Sequence, residues 1–161
     1  MKYLYLMRHG QSEPQSGARP DRSRSLTAEG ISRVRETAVS FRTRTGGVDD
    51  IMASPAVRAR QTAEFFLQEL SLPVSRIRFI PELYGDATVH GVLKIIRRVP
   101  DTVMSLLIVG HNPLMAELTS ALCPSFAGVM PPGALAAISL PDAWKEICPG
   151  SGSLDSFIIS E

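Results

Sequence analysis

Three short apolar runs in this chain each break off into a polar junction, and a chain patterned that way has few ways to fold. Tyr3-Leu4-Tyr5-Leu6-Met7 runs into Arg8-His9-Gly10, Ile51-Met52-Ala53 into Ser54-Pro55-Ala56-Val57-Arg58, and Leu106-Leu107-Ile108-Val109 into Gly110-His111-Asn112-Pro113. Runs this short suit buried strands rather than helices. If the strands are parallel, all three junctions meet on one rim of a sheet.

The segments between the runs carry helical spacing. Thr27 caps a helix in which Ile31, Val34, Ala38 and Phe41 step by three and four, and Gly46-Gly47 stops it. Ser54 has the chemistry of an N-cap and Pro55 that of a first helical residue, with Ala59, Ala63, Phe66 and Leu70 as the buried stripe. Arg58 then lies in the opening turn, where its guanidinium reaches back over the helix start and the strand end. Arg76 to Ile80 alternates like a strand, Val89, Val92, Ile96 and Val99 mark a helix, and Leu114, Leu118 and Leu122 mark another after Asn112-Pro113. Ala134 to Leu140 and Leu154 to Ser160 read as two strands of a hairpin. Strands alternating with helices predict a three-layer α/β/α sandwich with a mostly parallel central sheet, whose ligands sit outside the carboxyl ends of the strands.

One domain over residues 1–161 is the expectation for this length. Seventeen basic residues against sixteen acidic ones leave a net charge of +1, so nothing global points to nucleic acid or an anionic membrane. Any attraction for an anion is local. Cys123 and Cys148 stand far apart without a CxxC or a nearby histidine, which argues against zinc and reads as two ordinary thiols. The N-terminal apolar run ends at Arg8, too short for a signal peptide or a membrane span, and a cytoplasmic location is the simplest expectation.

Two histidines and at least two arginines at strand ends, without a serine or cysteine nucleophile motif or a Walker-type loop, suit a dianionic phosphoryl group. With the phosphoryl group held by arginines, an imidazole nitrogen attacks phosphorus in line and forms a phosphohistidine that water then hydrolyses. No metal and no cofactor is needed.

The same residues carry a family resemblance. Arg8-His9-Gly10, Ser54-Pro55-x-x-Arg58-Ala59-x-Gln61-Thr62 and Gly110-His111 resemble the histidine phosphatase superfamily, whose fold is phosphoglycerate mutase-like. The short chain, with Leu26-Thr27-x-x-Gly30, Pro81-Glu82-Leu83 and Gly110-His111-Asn112-Pro113, is similar to its SixA-type phosphohistidine phosphatase branch. The resemblance implies that His9 is the nucleophile, that Arg8 and Arg58 bind the phosphoryl group, and that His111 is the second histidine of the pocket. Asp21-x-x-Arg24-x-Leu26-Thr27 also resembles the SixA pattern and makes Arg24 a third cationic contact; a solvated loop arginine is the competing reading. Ser12 offers a hydroxyl to phosphate or to a local turn. His90 reads as a surface residue, and Tyr84 and Trp144 as packing or rim residues.

One departure bears on the substrate. In phosphoglycerate mutase-like relatives an acidic residue follows a leucine by two positions and protonates the leaving oxygen. Here Gly85 stands in that place after Leu83, with Glu82 and Asp86 as candidate acids out of register. An unprotonated alkoxide is a poor leaving group, whereas a phosphohistidine protonated on its other ring nitrogen departs as neutral imidazole. The expected substrate is therefore a phosphohistidine, on a phosphotransfer signalling domain. A small-molecule phosphomonoesterase of the same superfamily is the first rival, mutase activity a weaker one, and a non-catalytic phosphate-binding module the alternative from another class.

Overall fold

Strand β1 (Lys2–Arg8) lies at the middle of the molecule because its neighbours on both sides are sheet partners. The computed structural model describes residues 1–160. After β1 come α1 (Ala28–Arg44), β2 (Asp50–Ala53), α2 (Val57–Glu69), β3 (Ile77–Phe79), α3 (Val89–Arg97), β4 (Ser105–Gly110), α4 (Leu114–Leu122), β5 (Leu135–Leu140) and β6 (Ser153–Ile158). The six strands form one sheet in the order β3-β2-β4-β1-β5-β6. The first four positions in that order are parallel, and β5 and β6 add an antiparallel edge. The architecture is the phosphoglycerate mutase-like three-layer α/β fold.

Alternation along the strands sorts side chains into two cores. Leu4, Leu6, Met52, Leu106 and Ile108 face α3 and α4, together with the fully buried Trp144. Tyr5, Met7, Ile51, Leu107 and Val109 face α1 and α2, where Phe41 stacks between Tyr5 and Phe66 at ring separations of 4.7 and 5.2 Å. Strand β4 is buried along its whole length, as a strand covered on both faces must be.

Three local readings need correction. Ser54 does not cap α2: the helix begins at Val57 with Ala56 in the capping position and no side-chain cap, and the Ser54 hydroxyl instead accepts from the Ala56 N–H at 3.3 Å and pairs with His111. Arg76 belongs to a short 3-10 turn, so β3 starts at Ile77; a second such turn at Pro81–Leu83 ends it on the other side. The last strand runs from Ser153, one residue earlier than expected, and stops at Ile158 rather than Ser160. Thr27 does cap α1, its Oγ1 accepting from the Gly30 N–H at 2.9 Å. Among the described residues no helix is long and apolar enough to cross a membrane.

Candidate active site

The parallel register puts Arg8 level with Gly110, so the ends of β1 and β4 deliver His9 and His111 side by side. The His9 N–H donates to the Gly110 carbonyl at 3.0 Å, and the two imidazoles stand 5.1 Å apart between centroids. Gly10 is required by packing: a Cβ there would meet Val34 at 2.8 Å and the Gly30 carbonyl at 3.1 Å. That close approach of the β1 exit to α1 fixes where His9 points.

His9 is buried, 8% exposed, and its Nδ1 lies 2.7 Å from the Gly10 carbonyl oxygen. A carbonyl only accepts, so Nδ1 carries the proton and Nε2 keeps its lone pair. Burial pushes the His9 pKa down to about 3; the Gly10 carbonyl opposes this, and His111, Arg58 and Arg8 add to it. The imidazole is neutral at neutral pH. His111 is pushed down to about 4, by burial first and then by Arg58. Its Nε2 pairs with the Ser54 hydroxyl at 2.8 Å, which leaves Nδ1 as the ring nitrogen open to a ligand.

The arginines are tied at their tips and open at their necks. Arg8 donates from NH1 to the Met130 carbonyl at 3.0 Å, and Arg58 from NH1 and NH2 to the Asp21 carbonyl and carboxylate at 2.9 and 3.0 Å. The Nε atoms of both are buried without a hydrogen-bond partner. A buried N–H left unpaired costs on the order of 1–3 kcal/mol, and on a cation it is a donor that an anion would satisfy.

Asp21 is the residue that sequence reasoning quoted without giving it a part to play. Its Oδ1 accepts from Nε and NH2 of Arg24 at 3.0 and 2.8 Å, and its Oδ2 accepts from Arg58 and from the Tyr84 hydroxyl at 2.8 Å. Burial works against ionisation, but Tyr84, Arg24 and Arg58 outweigh it and hold the carboxyl well below the usual range. Tyr84 reaches further into the site than a rim residue: its ring stands edge-on to His111 at 5.6 Å. Arg24 is no free loop charge, since NH1 also donates to the Ser12 hydroxyl at 3.1 Å and the Glu13 carbonyl at 2.9 Å. Ser12 comes to the rim through that contact.

Beside His111 opens a cavity of about 340 Å³, bounded by Asp21, Arg58, Leu83, Tyr84, Leu114 and Glu117. Glu82 and Asp86 do not border it. The Pro81–Leu83 turn buries Leu83 and throws Glu82 outward, and both acids line a neighbouring hollow with Lys94 and Arg98. His90 is exposed on α3, Trp144 is buried and donates to the Val103 carbonyl at 2.8 Å, and Cys123 and Cys148 are both free thiols. A larger hollow of about 1260 Å³ lies at the opposite ends of the strands around Tyr3, Tyr5 and Arg44, and no histidine borders it.

Two neutral imidazoles and two buried arginines at the carboxyl ends of β1 and β4 and the start of α2 have the chemistry to hold an anion and attack it. The chain belongs to the histidine phosphatase superfamily (branch 1), whose model matches residues 4–105. Phosphohistidine phosphatase SixA of Escherichia coli strain K12 is 30% identical over 145 residues, covering 87% of this chain and 86% of that protein. A protein of Mycobacterium tuberculosis strain H37Rv is 30% identical over 162 residues, 94% of this chain and 98% of its own. A solved structure of the protein histidine phosphatase SixA complexed with tungstate superposes with a TM-score of 0.84 at 26% identity, over 98% of this chain and 96% of that one. These likenesses support phosphatase activity on a phosphorylated substrate.

Proposed function

We propose that the protein is a phosphohistidine phosphatase working through a phosphohistidine of its own. The observation that carries the reading is the pairing of His9 Nδ1 with the Gly10 carbonyl, which leaves Nε2 its lone pair in surroundings where Arg58 and Arg8 lower the His9 pKa and each keep a buried, unpaired Nε. His9 Nε2 attacks phosphorus in line, and the arginine Nε–H groups take the equatorial oxygens as charge redistributes. His111, through Nδ1, contacts the phosphoryl group opposite Ser54. Arg24 and Ser12 border the oxygen-binding side. The bond from phosphorus to the substrate's ring nitrogen breaks, its electron pair staying on that nitrogen, and water then cleaves the His9 phosphoramidate to inorganic phosphate.

Two things favour a phosphoramidate over an alcohol phosphate. Neither Glu82 nor Asp86 borders the cavity beside His111, and Asp21, which does, is held ionised by its three donors. The other carboxyl that borders it, Glu117, is exposed to solvent on α4, so no buried acid is held ready for an alcohol's departing oxygen, whereas a protonated imidazole needs none.

The test compares phosphate release by wild type and His9→Ala from a histidine-phosphorylated phosphotransfer domain and from alcohol phosphates. We expect the phosphohistidine to be preferred, and His9→Ala to lose at least about a thousandfold in turnover, as removal of a covalent nucleophile does. Equal or faster turnover of alcohol phosphates by wild type would overturn the substrate assignment and return attention to Glu82 and Asp86.

A further inference from the structure

One carboxylate borders the cavity beside His111 without a partner among the described residues, and this has a consequence for what can leave through it. Arg58 and Asp21 face each other across two contacts, at 2.9 and 3.0 Å, and Asp21 is shared with Arg24. With a phosphoryl dianion seated on Arg8 and Arg58, the arginines face that dianion and Asp21, and Arg22 stands over the Tyr84 ring at 5.6 Å. Glu117 has no such partner. It sits in the first turn of α4, four residues after Pro113, exposed toward the cavity, with no hydrogen bond or ion pair to its carboxylate among the described residues.

We propose that Glu117 is a specificity-determining residue for the departing group, and that the cavity admits a nitrogen base bearing an N–H and disfavours an anionic one. This rests on the phosphohistidine reading above. The space, about 340 Å³, equals the share of about eleven liquid waters and holds a five-membered ring with room to spare. Leu83 and Leu114 supply apolar walls for the flat faces of such a ring. Glu117 accepts the N–H of the nitrogen that does not carry phosphorus, favouring the protonated ring. When His9 attacks, the N–P bond breaks, the electron pair returns to the ring nitrogen, and the ring departs neutral with its N–H still on Glu117. A carboxylated or otherwise anionic alcohol meets the same carboxylate as a like charge.

Glu117→Gln separates this role from a structural one because the expected effects have opposite signs. For a peptide carrying N-phosphorylated histidine, kcat/KM should fall about tenfold, the loss of one charge-assisted hydrogen bond. For 3-phosphoglycerate and p-nitrophenyl phosphate, whose departing oxygens gain negative charge, it should rise about threefold or more. Glu117→Lys should widen both changes. A uniform loss across the three substrates, or an unchanged preference for the phosphopeptide, overturns the role of Glu117 while leaving the phosphohistidine reading intact. A wild type that hydrolyses the esters through His9 but gains nothing from the phosphopeptide overturns both.

Discussion

His9 and His111 are held neutral against solution chemistry, and folding must supply the difference. Both have folded values, about 3 and about 4, well below the ordinary 6.5. Between those limits the unfolded chain binds the protons that the native state refuses. Stability is therefore full above about pH 6.5 and is lost as the pH falls through the window, by about 1.4 kcal/mol per pH unit for His9. Thermal unfolding from pH 7 to pH 4.5 should show a steep decline in wild type and a shallower one in His9→Gln. Equal slopes would mean that His9 is not kept neutral by its surroundings. Asp21 does not blur the comparison, because its carboxyl, held low by Tyr84 and the two arginines, adds acid sensitivity only below about pH 4.

At the scale of elements, the junction between β1 and α1 carries the positioning. A Cβ on Gly30 would stand 2.2 Å from the Gln11 carbonyl oxygen, which itself accepts from the Thr27 N–H at 3.0 Å. Neither backbone can yield without moving the segment that holds His9. Gly30→Ala should cost at least about 2 kcal/mol in urea unfolding, the scale of overpacking a closed contact, and should lower kcat as well. A variant with wild-type stability would show that the loop has room to shift. The strands and helices were legible in the sequence because their cues are local: the short apolar runs of β1, β2 and β4, three-and-four spacing in α1, Thr27 ahead of Gly30. The strand boundaries were off by a residue or two, while the Ser54 misreading has a distant cause. A serine before a proline carries the signature of a cap, and nothing nearby discloses that its hydroxyl is taken by a histidine 57 positions on. The Asp21, Arg58 and Tyr84 network escaped the same way, since its contacts span 37 and 63 positions. His9, Arg8, Arg58 and His111 were legible as a group because each sits at a strand end or the turn that follows one, and the parallel register brings those ends together.

For the whole molecule, the question is whether two cores on one sheet melt as one. Trp144 reports the core under α3 and α4, while Phe41, Tyr5 and Phe66 fill the other, and strands β1, β2 and β4 contribute to both. No strand can leave one core without stripping the other, so the single-domain expectation leads to one cooperative transition. Trp144 fluorescence and far-ultraviolet circular dichroism should superimpose across a urea titration. A displaced tryptophan transition would reveal two separately stable layers. The short contact between His9 and the next peptide group has a further meaning at this scale. The atom that sets the His9 tautomer is main chain, and no side-chain exchange elsewhere can delete it, whereas the cavity beside His111 is walled by replaceable side chains. How the protein reacts is thus written where heredity can hardly edit, and what it reacts with is written where it can. A lineage sharing this scaffold can wander among targets while its chemistry stays fixed.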